Sequence, residues 1–154
     1  MHSSLTEAFL ATAANAGEKT ALVGAQRSLT FREYAGAALA AAAALDERGE
    51  TERVALLLPT SEAFAILYFG ALLSGRVAVP LNFFLQGEEL EQIVRDCRAK
   101  TVFTVKPFEK AARGAGAEVI LVEKWLPKAL AAPPAAPKEA NDVATILYTS
   151  GTTG

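Results

Sequence analysis

Arg53-Val54-Ala55-Leu56-Leu57-Leu58-Pro59, then Phe64-Ala65-Ile66-Leu67-Tyr68-Phe69-Gly70-Ala71-Leu72-Leu73, then Arg76-Val77-Ala78-Val79-Pro80 set the architecture of this chain. The outer two runs are short, apolar and closed by proline. Continuous apolar runs of that length are strands covered on both faces, as in a parallel sheet with helices on either side. In the middle run Phe64, Leu67, Tyr68, Ala71 and Leu72 keep one helical face apolar. Thr60 or Ser61 is available as its N-cap and Gly75 as its stop. Strand, helix and strand with short connections make a βαβ unit.

The alternation continues downstream. Glu88 to Arg98 carries Leu90, Ile93, Val94 and Cys97 on one stripe and is a helix; Thr101 to Val105 is a third strand. Pro107 to Arg113 is a short helix with proline at its first position, and Glu118 to Val122 a fourth strand. Upstream, Ser4-x-x-Glu7 is a capping box opening a helix with Leu5, Ala8, Phe9 and Thr12 at helical spacing. Thr20 to Val23 and Arg27 to Phe31 flank Gly24-Ala25-Gln26 as a hairpin. Thr30-x-x-Glu33 caps an alanine-rich helix that carries Leu39 and Leu45 and ends at Gly49. The fold class is therefore α/β, a largely parallel sheet with flanking helices.

Pro127 to Asn141 is rich in Pro and Ala, has no period, and is expected to be a linker or surface excursion. The expected organisation is an α/β subdomain over 1–126, a linker over 127–141, and a strand with a loop over 142–154. That strand, Val143 to Tyr148, must pair elsewhere in the sheet or with residues outside this chain. It runs into Thr149-Ser150-Gly151-Thr152-Thr153-Gly154. Small residues leave backbone N–H groups open to a ligand, and the hydroxyls add donors, so such a loop can wrap phosphate oxygens. It is not a Walker A loop, because no Lys-Ser/Thr follows, nor the dinucleotide Gly-x-Gly-x-x-Gly. By itself it fits a phosphate loop or a flexible polar tail equally well. The loop has no positive charge, so a lysine or a metal would have to neutralise bound phosphates.

Composition narrows the remaining classes. Of 154 residues 51% are apolar and 21% charged, enough for a core. A net charge of −2 provides no electrostatic attraction for nucleic acid. The single cysteine, Cys97, excludes an intrachain disulfide and a Cys-cluster metal site and suits a reducing, cytoplasmic setting. It lies on an apolar stripe and is expected to be a buried hydrophobe. The apolar run Ala63 to Leu73 is about half the length that spans a bilayer, so no transmembrane segment is expected. No secretory signal is visible, and no acidic cluster has metal-ligand spacing. His2, at the terminus, carries no catalytic expectation. Glu88, Glu89 and Glu91, with Arg95 and Arg98, are solvated helix faces. Phe64, Tyr68 and Phe69 are core candidates, Phe83 and Phe84 could line a site after a strand end, and Trp125 has no assigned role.

Thr145-Ile146-Leu147-Tyr148-Thr149-Ser150-Gly151-Thr152-Thr153-Gly154 resembles the AMP-binding signature of the adenylate-forming enzymes: acyl-CoA synthetases, peptide-synthetase adenylation domains and luciferases. Leu29 to Tyr34, Arg53 to Pro59, Phe64 to Gly75 with Val77-Ala78-Val79-Pro80-Leu81-Asn82, Glu88-Glu89-Leu90 and Ala99-Lys100 also resemble the family, in its order and spacing. The resemblance implies the first part of that family's large N-terminal domain. It implies ATP, Mg2+ and CoA as cofactors and a small carboxylic acid, such as a fatty acid, as substrate. It also implies that Thr149, Ser150, Gly151, Thr152, Thr153 and Gly154 hold the ATP phosphates. The family's Pro-Lys-Gly continuation and its other site motifs lie downstream of Gly154. The chain is thus expected to be an inactive N-terminal fragment, its loop disordered and its exposed surface prone to self-association until the rest of the parent protein is restored. Two alternatives stay open: a piece of a peptide-synthetase adenylation domain, or a stand-alone non-catalytic module that binds nucleotide or protein.

Overall fold

The computed structural model describes residues 4–25 and 27–149. Helix α1 (Leu5–Asn15) opens on the Ser4/Glu7 capping box. Its buried side chains are Thr6 and Phe9, while Leu5 is half exposed, so the inward stripe is turned from the one expected. Strands β1 (Thr20–Val23) and β2 (Ser28–Thr30) form an antiparallel hairpin, closed by the Gly24 N–H donating to the Arg27 carbonyl at 2.9 Å. Gln26 and His2 lie outside the described residues. Helix α2 (Phe31–Glu47) starts on the Thr30/Glu33 capping box, and Gly49, at φ 69, carries the chain away from it in the left-handed region that glycine favours.

The parallel sheet then builds up from β3 (Arg53–Leu57), α3 (Glu62–Leu73), β4 (Val77–Pro80), α4 (Gly87–Asp96), β5 (Thr101–Thr104), α5 (Glu109–Gly114), β6 (Glu118–Leu121) and α6 (Val122–Leu130). Its strands lie in the order β4-β3-β5-β6, all parallel. The period-2 geometry of β3 divides two cores. Val54, Leu56 and Leu58 join α1, α2, α3 and α6 on one face; Ala55 and Leu57 join α4 and α5 on the other. Helix α3 is apolar on most sides because it lies between α2 and the sheet. At that crossing Ala38, Ala41 and Ala42 of α2 meet Gly70, where an added Cβ would stand 2.9 Å from the Ala41 Cβ.

Four further expectations about local structure change. Helix α4 stops at Asp96; Cys97 is its cap and Arg98 takes φ 56, so the helix does not reach Arg98. Pro107 sits in a 3-10 turn (Lys106–Phe108) ahead of α5, not in the α-helix itself. Val122 opens α6 instead of ending β6, and α6 contains Pro127 in its interior. Proline removes an N–H and costs about 3 kcal/mol there. Burial of Val122, Leu126 and Ala129, and the edge-on packing of Trp125 against Phe103 at 5.1 Å, offset that cost. Lastly, residues 143–148 do not form a regular strand. They meet β4 through a parallel bridge between Ala78 and Thr145. The Ala78 N–H donates to the Ala144 carbonyl at 3.0 Å, and the Ile146 N–H to the Ala78 carbonyl at 3.1 Å.

The connector before that segment is tied down at the sheet's amino edge. The Lys138 N–H donates to the Leu73 carbonyl at 2.8 Å, and its ammonium lies 2.8 Å from Asp46. Arg76 approaches the same carboxylate at 2.5 Å and donates to the Glu50 carbonyl.

Candidate functional site

Because every strand of the sheet is parallel, the turns after β3, β4 and β5 all leave at one edge. From β3 the chain moves to β4 on one side; it later crosses to β5 on the other. Ligands of open α/β sheets collect at the carboxyl ends of strands near such a reversal of direction. The segment 143–149 runs parallel to β4 on its outer side, so Tyr148 and Thr149 emerge at this same edge.

The turns there are internally organised. After β3, the Ser61 hydroxyl accepts from the Phe64 N–H and starts α3. After β4, the Asn82 side chain accepts from the Phe84 N–H at 3.0 Å, and the Leu85 N–H closes on the Asn82 carbonyl. Phe83 stacks against Phe108 at 5.5 Å, and Phe84 is largely exposed. Together with Gln86, Lys110 and Gly114 these rings line an open cleft at the sheet's carboxyl edge, so the expected aromatic lining after a strand end is present. Lys106 and Arg113 both pair with Glu109, whose carboxyl they hold down to about 2.

The segment leading to Thr149 is gripped from both faces. Thr145 and Tyr68 of α3 share a hydroxyl–hydroxyl hydrogen bond of 2.7 Å. On the opposite face Ile146 and Tyr148 pack against the core built on α4, and the Tyr148 hydroxyl donates to Asp96 at 2.5 Å. Burial, with the Asp96 carboxylate accepting the hydrogen bond from the protonated hydroxyl, pushes the Tyr148 phenol well above the ordinary tyrosine value. Of the six residues expected to hold phosphate, Thr149 is exposed at the carboxyl edge. Ser150, Gly151, Thr152, Thr153 and Gly154 lie outside the described residues. Sequence reasoning places Tyr68 in the core, gives Tyr148 only to the strand, and passes over Asp96. No spacing signal joins an aspartate at the end of one helix to a tyrosine 52 residues later.

Cys97 is buried and its thiol is pushed up by desolvation, which makes it a poor nucleophile. Glu88, Glu89, Arg95 and Arg98 are exposed, as expected. Among the described residues no group of three or more His, Cys, Asp or Glu is arranged to hold a metal ion. Among them, too, no helix is long and apolar enough to cross a membrane.

Comparison with known proteins then fixes the family. The model of the AMP-binding enzyme family matches residues 9–154. The chain belongs to the AMP-binding enzyme family. Within this family it is 36% identical over 115 residues to the long-chain-fatty-acid–CoA ligase FadD13 of Mycobacterium tuberculosis, covering 67% of this chain and 23% of that protein. It is 30% identical over 156 residues to the 4-hydroxybenzoate–CoA/benzoate–CoA ligase of Rhodopseudomonas palustris, covering 90% of this chain and 29% of that protein. The crystal structure of the anthranilate CoA ligase AuaEII with anthranoyl-AMP is also similar. Its TM-score is 0.84 at 26% identity, over 97% of this chain and 32% of that one. This AMP-binding chain thus spans less than a third of the length of the curated relatives it matches here.

Proposed function

We propose that this chain forms the first part of the large domain of an ATP-dependent, AMP-forming acid–thiol ligase. In the first half-reaction a carboxylate oxygen attacks the α-phosphorus of ATP, forming an acyl-adenylate as pyrophosphate leaves. In the second the CoA sulfur attacks the acyl carbon, forming a thioester as AMP leaves. The observation that carries this reading is that the family match runs through Gly154 while the segment feeding the loop emerges at the carboxyl edge of the sheet. Thr149, Ser150, Gly151, Thr152, Thr153 and Gly154 are assigned to the ATP phosphates, with backbone N–H groups and hydroxyls as donors. Mg2+, arriving with ATP, would supply the positive charge that this loop lacks. None of its ligands is assigned to this chain.

The substrate is assigned to the small carboxylic acids, the class named in the fatty-acid and benzoate ligases. The cytoplasm is assigned as its setting because this chain's one cysteine, Cys97, is unpaired and buried. Acid-dependent ATP–pyrophosphate exchange by the full-length gene product, with benzoate, 4-hydroxybenzoate and palmitate as probes, tests the reaction. Exchange with at least one acid, followed by CoA thioester formation, is expected. Absence of exchange with all of them counts against it. The isolated chain is expected to be inactive, and exchange by it alone would show that the site needs nothing further.

A further inference from the structure

The segment that delivers Thr149 to the carboxyl edge is held by little backbone pairing. Only one bridge joins it to β4, through the N–H and carbonyl of Ala78. Its outer side has no strand beside it among the described residues, and Val143 and Leu147 are exposed there. A strand end attached so sparsely would sway by itself, because each hydrogen bond contributes little net stability. Two side-chain bonds remedy this, and they come from opposite faces of the sheet. Tyr68, on α3, reaches Thr145 at 2.7 Å. Tyr148 reaches Asp96, at the end of α4, at 2.5 Å. Both supports are anchored well. Tyr68 packs against Phe64 and Phe69, and α4 is fastened by the fully buried Leu90 and by Val94 and Cys97. Tyr148 is also the residue immediately before the hydroxyl and glycine loop.

We propose that Tyr68–Thr145 and Tyr148–Asp96 form a two-sided clamp that sets the position of the phosphate-binding loop, making these four positioning residues for ATP. This rests on the ligase reading above. The clamp adjoins the loop assigned to the ATP phosphates, so its loss is expected to be felt in nucleotide binding. Preorganised donors bind phosphate without a reorganisation cost, and a loosened stem restores that cost. Asp96 and Tyr148 act as one unit, so losing either removes the same bond.

The test uses the full-length protein with ATP as the varied probe and a saturating acid from the panel above. Tyr148→Phe and Asp96→Asn are each expected to raise KM for ATP about fivefold, the size of one lost solvent-exposed hydrogen bond. KM for the acid should hold, and the double variant should be no worse than Tyr148→Phe alone. Tyr68→Phe should act in the same direction and add to Tyr148→Phe, because it lies on the other face. Tyr34→Phe is the structural control. It removes the 3.0 Å bond from Tyr34 to the Ala65 carbonyl, which is neither of the two clamp bonds, and should lower Tm without moving KM for ATP.

Amide hydrogen exchange without nucleotide provides a readout independent of catalysis. The Ile146 N–H should lose protection in Tyr148→Phe and Tyr68→Phe. Unchanged Ile146 protection together with an unchanged KM for ATP would overturn the clamp. So would a rise in both KM for ATP and KM for the acid that tracks a fall in Tm, as a purely structural role requires. Lost Ile146 protection in a protein that exchanges pyrophosphate with none of the acids would sustain the clamp and refute the ligase reaction.

Discussion

Cys97 shows how far a single residue's chemistry follows from its place in a pattern. Its spacing with Leu90, Ile93 and Val94 puts it on an apolar stripe, and it is 2% exposed. The thiol donates to the Val94 carbonyl at 3.4 Å, and desolvation raises its pKa. Thiol-specific alkylation of the native chain at neutral pH is therefore expected to be far slower than in denaturant, and a rate matching a free thiol would contradict this burial. Tyr148 behaves differently. Its neighbours in sequence place it before the loop, but its partner Asp96 comes from a helix end 52 residues away. That pairing depends on how α4 lies against the sheet, which no local pattern encodes.

Among the secondary-structure elements, periodicity identifies all the strands of the main sheet and the helices α1 to α4, because each carries a cap, a stop or a sustained apolar face. Helix α6 escapes because Pro127 argues against it locally, and the packing of Val122, Trp125 and Leu126 outweighs that argument. The terminal segment reads as a strand on its apolar content, yet only Thr145 bridges to β4. The α2–α3 crossing depends on small residues. Gly70→Val would drive a side chain into the Ala41 methyl and the Ala38 carbonyl, which lie 2.9 and 3.3 Å from where its Cβ would stand. A loss of about 1–3 kcal/mol is expected by urea denaturation, whereas Gly36→Ala, with open space around its Cβ, should be neutral or slightly stabilising.

For the whole molecule, two features govern behaviour in solution. The first is the ionic cluster at the sheet's amino edge. Burial raises the Asp46 carboxyl, but hydrogen bonds and charges from Lys138 and Arg76 outweigh it and hold the pKa below its ordinary 3.8. A lowered folded-state pKa means that its stabilisation is complete above the unfolded value and is lost as pH falls through the folded one. Stability should thus decline on acidification below about pH 4. Asp46→Asn should be less stable at neutral pH and show a shallower decline, as followed by Tm against pH. The second is the outer side of residues 143–149, where Leu147 is 69% exposed beside an unpaired backbone edge. Such edges recruit other chains. The 154-residue chain is expected to self-associate in sedimentation experiments, and Leu147→Lys to reduce this; a concentration-independent monomer would count against it.

The α/β class, the parallel strands, both capping boxes and the family are all legible in the amino-acid order, because they reside in contiguous runs and their succession. Through the family resemblance that order also singles out Thr149 and the residues after it as the proposed phosphate ligands. The strand order, the docking of residues 143–149 on β4, and the Tyr68 and Asp96 supports on its two faces come only with the folded chain. Those contacts join residues far apart in the chain, and their energies depend on distance and burial, which exist only once the helices have packed on the sheet.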